Sequence, residues 1–110
     1  MLYLRRNLDE RICVFDNRAE VWIAVREIGM DTVTLSLGPG KPTDPTVELC
    51  MDETVPFLQG VGSVTLTQVA DYSDGTHYVS LGIHAPRDLL IKREEMIAGM
   101  DREERASLLP

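Results

Sequence analysis

A period of two in the placement of apolar residues constrains this chain more than any other feature. Val21, Ile23 and Val25 alternate with Trp22, Ala24 and Arg26, and Val33, Leu35 and Leu37 alternate with Thr32, Thr34 and Ser36. Alternation of this kind gives a half-buried antiparallel strand one apolar and one polar face, and Gly29-Met30-Asp31 between the two runs reads as a hairpin turn. Residues 2–8 and 11–15 read as two earlier strands joined at Asp9-Glu10, with Asp16-Asn17-Arg18 as the next turn. Residues 38–45 carry three prolines and two glycines. Prolines cannot donate to a ladder, so this stretch is a loop. The longest apolar run, Val21-Trp22-Ile23-Ala24-Val25, is far short of the roughly 18 residues a bilayer span needs. Charged residues at positions 5, 6 and 9–11 leave no apolar stretch for a secretory signal. The expectation is a single cytoplasmic domain over 1–110, mostly β, with no membrane association.

After the loop the pattern starts again. A shift of 43 lays Asp9-Glu10 on Asp52-Glu53 and Val21-Trp22-Ile23-Ala24 on Val64-Thr65-Leu66-Thr67. A shift of 44 lays Ser36-Leu37-Gly38 on Ser80-Leu81-Gly82, Pro42 on Pro86 and Asp44 on Asp88. This is the mark of an internal duplication, in which two units too small to bury a core alone pack together in one chain. The repeats run over about 1–50 and 47–100. In 93–100, Met96, Ile97 and Met100 fall at helical spacing behind an acidic first turn, which predicts one short C-terminal helix. Residues 101–110 read as a tail free to be disordered.

Little in the chain suggests catalysis. His77 and His84 have no cysteine or serine in a nucleophile setting, and there is no C-x-x-C or H-x-x-x-H for a metal. Gly38-Pro39-Gly40-Lys41 lacks the first glycine of a phosphate loop and has Pro42 in place of its Ser or Thr. The expectation is a protein that is not an enzyme and carries no cofactor or metal. Cys13 and Cys50 each lie in an apolar run, which suits reduced core residues better than a disulfide.

Charge is informative by position. Eleven basic against eighteen acidic residues give a net charge of −7, and no Lys or Arg lies between Lys41 and Arg87. Any anion site must therefore come from the two ends, where Arg5-Arg6 closes the first strand and Lys92-Arg93 the last. If those strands lie side by side, four cations share one edge. Arg6 and Arg93 have the strand parity of apolar Leu4 and Ile91, so both are expected to leave the core where their strands end.

Those ends resemble a known family. Met1-Leu2-Tyr3-Leu4-Arg5-Arg6 and Gly82-Ile83-His84-Ala85-Pro86-Arg87-Asp88-Leu89-Leu90-Ile91-Lys92-Arg93-Glu94-Glu95-Met96 are similar to the two ends of the CsrA/RsmA carbon storage regulators, M-L-I-L-x-R-R and G-V-N-A-P-K-x-V-x-V-x-R-E-E-I. The resemblance implies an antiparallel β-sandwich or barrel like a fused pseudo-dimer. It also implies a bacterial post-transcriptional regulator that grips GGA in hairpin loops of mRNA or small RNA and represses translation or alters message stability. The family's RNA contacts carry over to Leu4, Arg5, Arg6, Ala85, Pro86, Arg87, Lys92 and Arg93.

At the junction, Thr46-Val47-Glu48-Leu49-Cys50 falls where one copy's last strand and the next copy's first both belong, so one segment stands for two strands. There Leu49 replaces the equivalents of Arg6 and Arg93, and Glu48 those of Arg5 and Lys92. One RNA site per chain is therefore expected, in a monomer, with a homodimer as the alternative. Asn7, Asp9, Thr34 and Tyr78 depart from the usual arginine, glycine and basic residues of the family, which predicts weaker, steeply salt-sensitive binding. The rival reading is a derivative without RNA binding that acts as a protein-interaction module, with a protein antagonist of the family as the kind of partner.

Overall fold

The alternating runs form nine strands in a computed structural model, which describes residues 1–109: β1 (Leu2–Asn7), β2 (Arg11–Phe15), β3 (Glu20–Ile28), β4 (Thr32–Gly38), β5 (Thr46–Cys50), β6 (Thr54–Phe57), β7 (Gly62–Asp71), β8 (His77–His84) and β9 (Leu90–Arg93). They make two antiparallel sheets, one in the order β1-β8-β7-β6 and the other β5-β4-β3-β2-β9. Inward-facing residues of both sheets, among them Leu4, Ile12, Ile23, Leu35, Leu49, Val64, Leu66, Leu81 and Ile83, form one core. No helix among the described residues is long and apolar enough to cross a membrane.

Two tight turns share one geometry. Asp9 and Asp52 both have φ 66°, a left-handed conformation that aspartate tolerates better than most residues. In each turn a glutamate carboxylate accepts a backbone N–H three residues back, Asn7 to Glu10 at 2.6 Å and Cys50 to Glu53 at 2.7 Å. Each aspartate N–H then bonds the neighbouring long strand, Asp9 to Val25 O and Asp52 to Leu66 O, both at 2.8 Å. The pairing of β5 with β4 also follows that of β1 with β8. Leu49 faces Val33 as Arg6 faces Val79, and Val47 faces Leu35 as Leu4 faces Leu81.

Hydrogen bonding puts the long strands in a different correspondence from the 43- and 44-residue matches. Both hairpins carry a bulge, at Val25/Glu27 and at Leu66/Gln68, so Val25 corresponds to Leu66 and its partner Leu35 to Leu81. The shifts are 41 and 46, because the β7–β8 hairpin is longer than β3–β4. β5 pairs with β4 alone, and the outer edge of β6 carries no strand, so the junction segment fills one strand position.

Two expectations change. Cys13 is fully buried, but Cys50 is exposed, because in edge strand β5 it is Leu49 that faces the core. The C-terminal helix forms later than expected. Glu94–Met96 is a single 3-10 turn, Gly99 takes φ 81°, and the α-helix α1 spans Arg102–Ala106. Asp101 caps it by accepting the Glu104 N–H at 2.8 Å.

Five residues do not hold a helix in water, so α1 depends on docking. Arg105 reaches the Glu20 carboxylate at 2.7 Å and lies 5.5 Å above the Trp22 ring, while Ile97, Met100 and Leu109 join Cys13 and Phe15 in a second apolar cluster. The described part of the tail thus folds over the outer face of the five-stranded sheet. Pro110 lies outside the described residues.

Candidate nucleic-acid interface

β1 and β9 lie in different sheets and share no ladder. Their relation follows from the crossover. β8 runs antiparallel to β1 and ends at His84 near Leu2, residues 85–89 cross to the other sheet, and β9 pairs with β2. β9 therefore starts near the beginning of β1 and finishes near its end, where the Arg6 side chain joins β1 to the turn after β9. Its Nη1 donates to Arg11 O and to Glu95 Oε1, both at 2.9 Å, and its Nη2 to Glu95 Oε2 at 2.7 Å and Glu10 Oε2 at 3.3 Å. Beside this pair Arg11 donates from Nε to Glu94 at 2.6 Å, with its guanidinium 4.4 Å from the Trp22 ring centre.

The structure thus treats the eight expected contact residues unequally. Leu4 is in the core, and Arg6 is only 3% exposed. Arg6 does not leave the core at the end of its strand. A fork of acceptors from Glu95, Glu10 and Arg11 lets its charge stay inside, which is the condition for burying a guanidinium. Burial alone would lower the Arg6 pKa, but the Glu95 hydrogen bond and the charges of Glu10, Glu95 and Glu94 outweigh it and the pKa is raised. Glu95 is held down to about 2, first by the Arg6 hydrogen bond and then by a backbone hydrogen bond.

The other cations are available. Arg5, Arg87 and Arg93 are exposed and Lys92 half-buried, and none of the four has an ion-pair partner among the described residues. Ala85 packs against the core, with Pro86 exposed beside it at the turn that Leu89 N–H closes onto Pro86 O. Sequence reasoning missed the acidic pair that occupies Arg6 and Arg11. Glu95 lies 89 positions from Arg6, and no local pattern reports that contact.

The counterpart edge is built differently. β5 presents Glu48 to solvent and turns Leu49 inward, and no strand lies beside β6. A groove of about 770 Å³ lies there, lined by Val21, Leu37, Pro39, Pro45, Pro56 and Phe57 among others. In the 38–45 loop the Gly40 and Lys41 amides, the groups a phosphate loop would offer, bond the Asp44 carboxylate at 2.8 and 3.1 Å. No cluster of three or more His, Cys, Asp or Glu suited to a metal ion occurs among the described residues.

Comparison with known proteins identifies no relative. No family model matches the chain, and neither a curated protein nor a solved structure does. Any functional reading therefore rests on the chain's own residues and on the resemblance of its two ends.

Proposed function

We propose that the edge made by β1, residues 85–89 and β9 binds an unpaired segment of RNA, and that the chain is a single-chain counterpart of a CsrA-like dimer with one surviving site. The observation that carries the reading is the set of cations without carboxylate partners, Arg5, Arg87, Lys92 and Arg93, along one edge of a chain of net charge −7. Cations free of internal ion pairs can neutralise phosphate without first breaking a bond. Arg6 and Leu4 act as positioning residues. Leu4 fixes β1 on the core, and Arg6 ties the end of β1 to the turn after β9, which sets the spacing of the exposed cations.

The duplication is supported by the matching Asp9 and Asp52 turns and by the equivalent registers of β1 and β5. The single site follows from the second edge, where Glu48 and Leu49 replace the cations and the strand corresponding to β9 is missing. Repression of translation or altered message stability is the consequence the resemblance implies for such binding.

Native mass spectrometry with a short hairpin bearing GGA in its loop tests both halves of the reading. One RNA on one 12.3 kDa chain is expected, with binding lost in the Lys92→Ala/Arg93→Ala double variant. A folded chain that takes up no RNA at low salt overturns it and favours the protein-interaction alternative.

A further inference from the structure

Residues on the outer face of the four-stranded sheet remain unexplained by an edge that holds only phosphates. The core side of this sheet is packed, and its other side is not covered as the five-stranded sheet is by the C-terminal segment. Tyr3 is 61% exposed there and Met1 63%. Opposite Tyr3 is Gly82, and a Cβ at Gly82 would come within 2.6 Å of the Met1 sulfur. Met1 lies across that gap, leaving Tyr3 to stand clear of the sheet.

Two residues along β1, the Arg5 guanidinium lies 4.4 Å from the centre of the Tyr78 ring, and Tyr78 in turn is 4.6 Å from Tyr72. This row of three groups, with the two tyrosine rings tilted by 44°, ends at Arg5, which is exposed and has no carboxylate partner among the described residues. A second, independent feature is electrostatic. Of the chain's eighteen acidic residues only Asp71, at the tip of the β7–β8 hairpin, falls within the strands of this sheet. A sheet with so few carboxylates is the part of this acidic chain that repels a polyanion least.

We infer that this face is a stacking platform for unpaired nucleobases, seated on Tyr3 and on the open side of the Arg5 guanidinium. Aromatic rings and Arg planes are the groups that hold splayed bases of single-stranded RNA. Side chains two residues apart on a strand are about 6.8 Å apart. That is about twice the 3.4 Å rise of stacked bases, so the two seats take bases already separated, as in a loop, and not a continuous stack. The platform adjoins the β1 edge, so a strand whose phosphates lie along Arg87 and Arg93 can turn its bases onto Tyr3. The inference rests on the proposed RNA-binding reading and adds which part of the RNA the protein reads.

The test uses the full chain and a GGA-loop hairpin with 2-aminopurine at an unpaired loop position, titrated over a range of salt. Stacking quenches the 2-aminopurine. For wild type we expect quenching on binding. For Tyr3→Ala we expect loss of quenching and affinity weaker by about five- to 150-fold, the range for one base–aromatic stack, with the salt slope unchanged because no phosphate contact is lost. Tyr3→Trp should restore both. Circular dichroism checks that each variant is folded.

If wild type binds RNA and Tyr3→Ala binds equally well with the same quenching, the platform is wrong and the edge reading stands. Loss of affinity in Tyr3→Ala that Tyr3→Trp does not rescue also overturns it. If folded wild type binds no RNA at any salt, both readings fall together.

Discussion

The Arg6–Glu95 pair makes an unequal prediction for its two partners. Arg6 has a side chain 4% exposed, while that of Glu95 is 54% exposed. Arg6→Met keeps the aliphatic stem, removes the guanidinium and leaves a carboxylate that water can reach. The loss is then the charge-assisted hydrogen bonds and the bonds to Arg5 O and Arg11 O, about 2 kcal/mol. Glu95→Ala leaves a buried cation with only Glu10 at 3.3 Å and the backbone carbonyls for company. Stranding a buried charge costs about 3 to 5 kcal/mol, and the Glu10 contact keeps the value near the lower limit. Glu95→Ala should therefore be the more destabilising change by about 1 kcal/mol, or about 4 °C in Tm for a domain of this size. The double variant should be more stable than the sum of the single losses predicts, by about 1 kcal/mol or more, because removing both partners strands nothing. Urea unfolding of the four proteins at neutral pH measures all three quantities. Arg6→Met proving the more damaging single change, or strict additivity in the cycle, would refute the claim that burial of Arg6 sets the energetics of this edge.

Three further outcomes are expected. Glu95 is depressed to about 2 in the fold and Glu20 is also lowered, since the Arg105 hydrogen bond and the charges of Arg105 and Arg102 outweigh the effect of its burial. Carboxylates with depressed native pKa values contribute stability above their unfolded range, and that contribution fades as pH falls from about 4.5 towards 2. Glu95→Gln should flatten this acid limb in thermal melts, and an unchanged limb would count against the pair. Pro56→Val should restore a backbone donor to the open edge of β6 and make the chain associate with rising concentration in light scattering, whereas a strictly monomeric variant would mean the edge is protected by something else. In native protein a thiol reagent should label Cys50 and spare Cys13, whose pKa is pushed to about 12 by burial and then by the charge of Glu20, until denaturant exposes it.

Much of the strand layout was legible because alternation encodes it directly. Residues 11–15 were read as a strand that the structure bounds identically, and the reading over 2–8 differs from β1 by one residue. Alternation does not encode register, however. A bulge inserts a residue without disturbing the pattern on either side of it, so the correspondence between the two halves slipped by two positions along β3 and β7. Parity put Arg6 on the core side but could not show that Glu95 would meet it there. Cys50 was misjudged because an apolar run in an edge strand need bury only one residue in two, here Leu49. α1 was placed too early because its order comes from tertiary contacts, Arg105 with Glu20 and Trp22, while Gly99 at φ 81° ends the segment where apolar spacing alone suggested a helix.

The odd number of strands and the single proposed site have one physical origin. After β8 the chain crosses to the opposite sheet and lays β9 on β2, and the turn just after β9 brings Glu95 to Arg6 of β1. After β4 residues 39–45 lead to the next strand without crossing. The loop turns back on itself, with Leu37 N–H bonding Pro45 O at 3.1 Å and Asp44 holding the Gly40 and Lys41 amides. β5 is thereby returned to β4 and cannot also reach β6. No further strand lies beside β6, and local residues blunt that edge. Leu66 N–H bonds Glu53 O, so by the alternation of an antiparallel ladder Pro56 turns its nitrogen to the open side, where a donor would invite another strand. The Phe57 ring lies over Gly62, where any Cβ would come within 2.4 Å of it, and is itself part of the core. An edge blunted in this way disfavours pairing with a further strand, and on the proposed reading a site that needs both a first and a last strand forms only once.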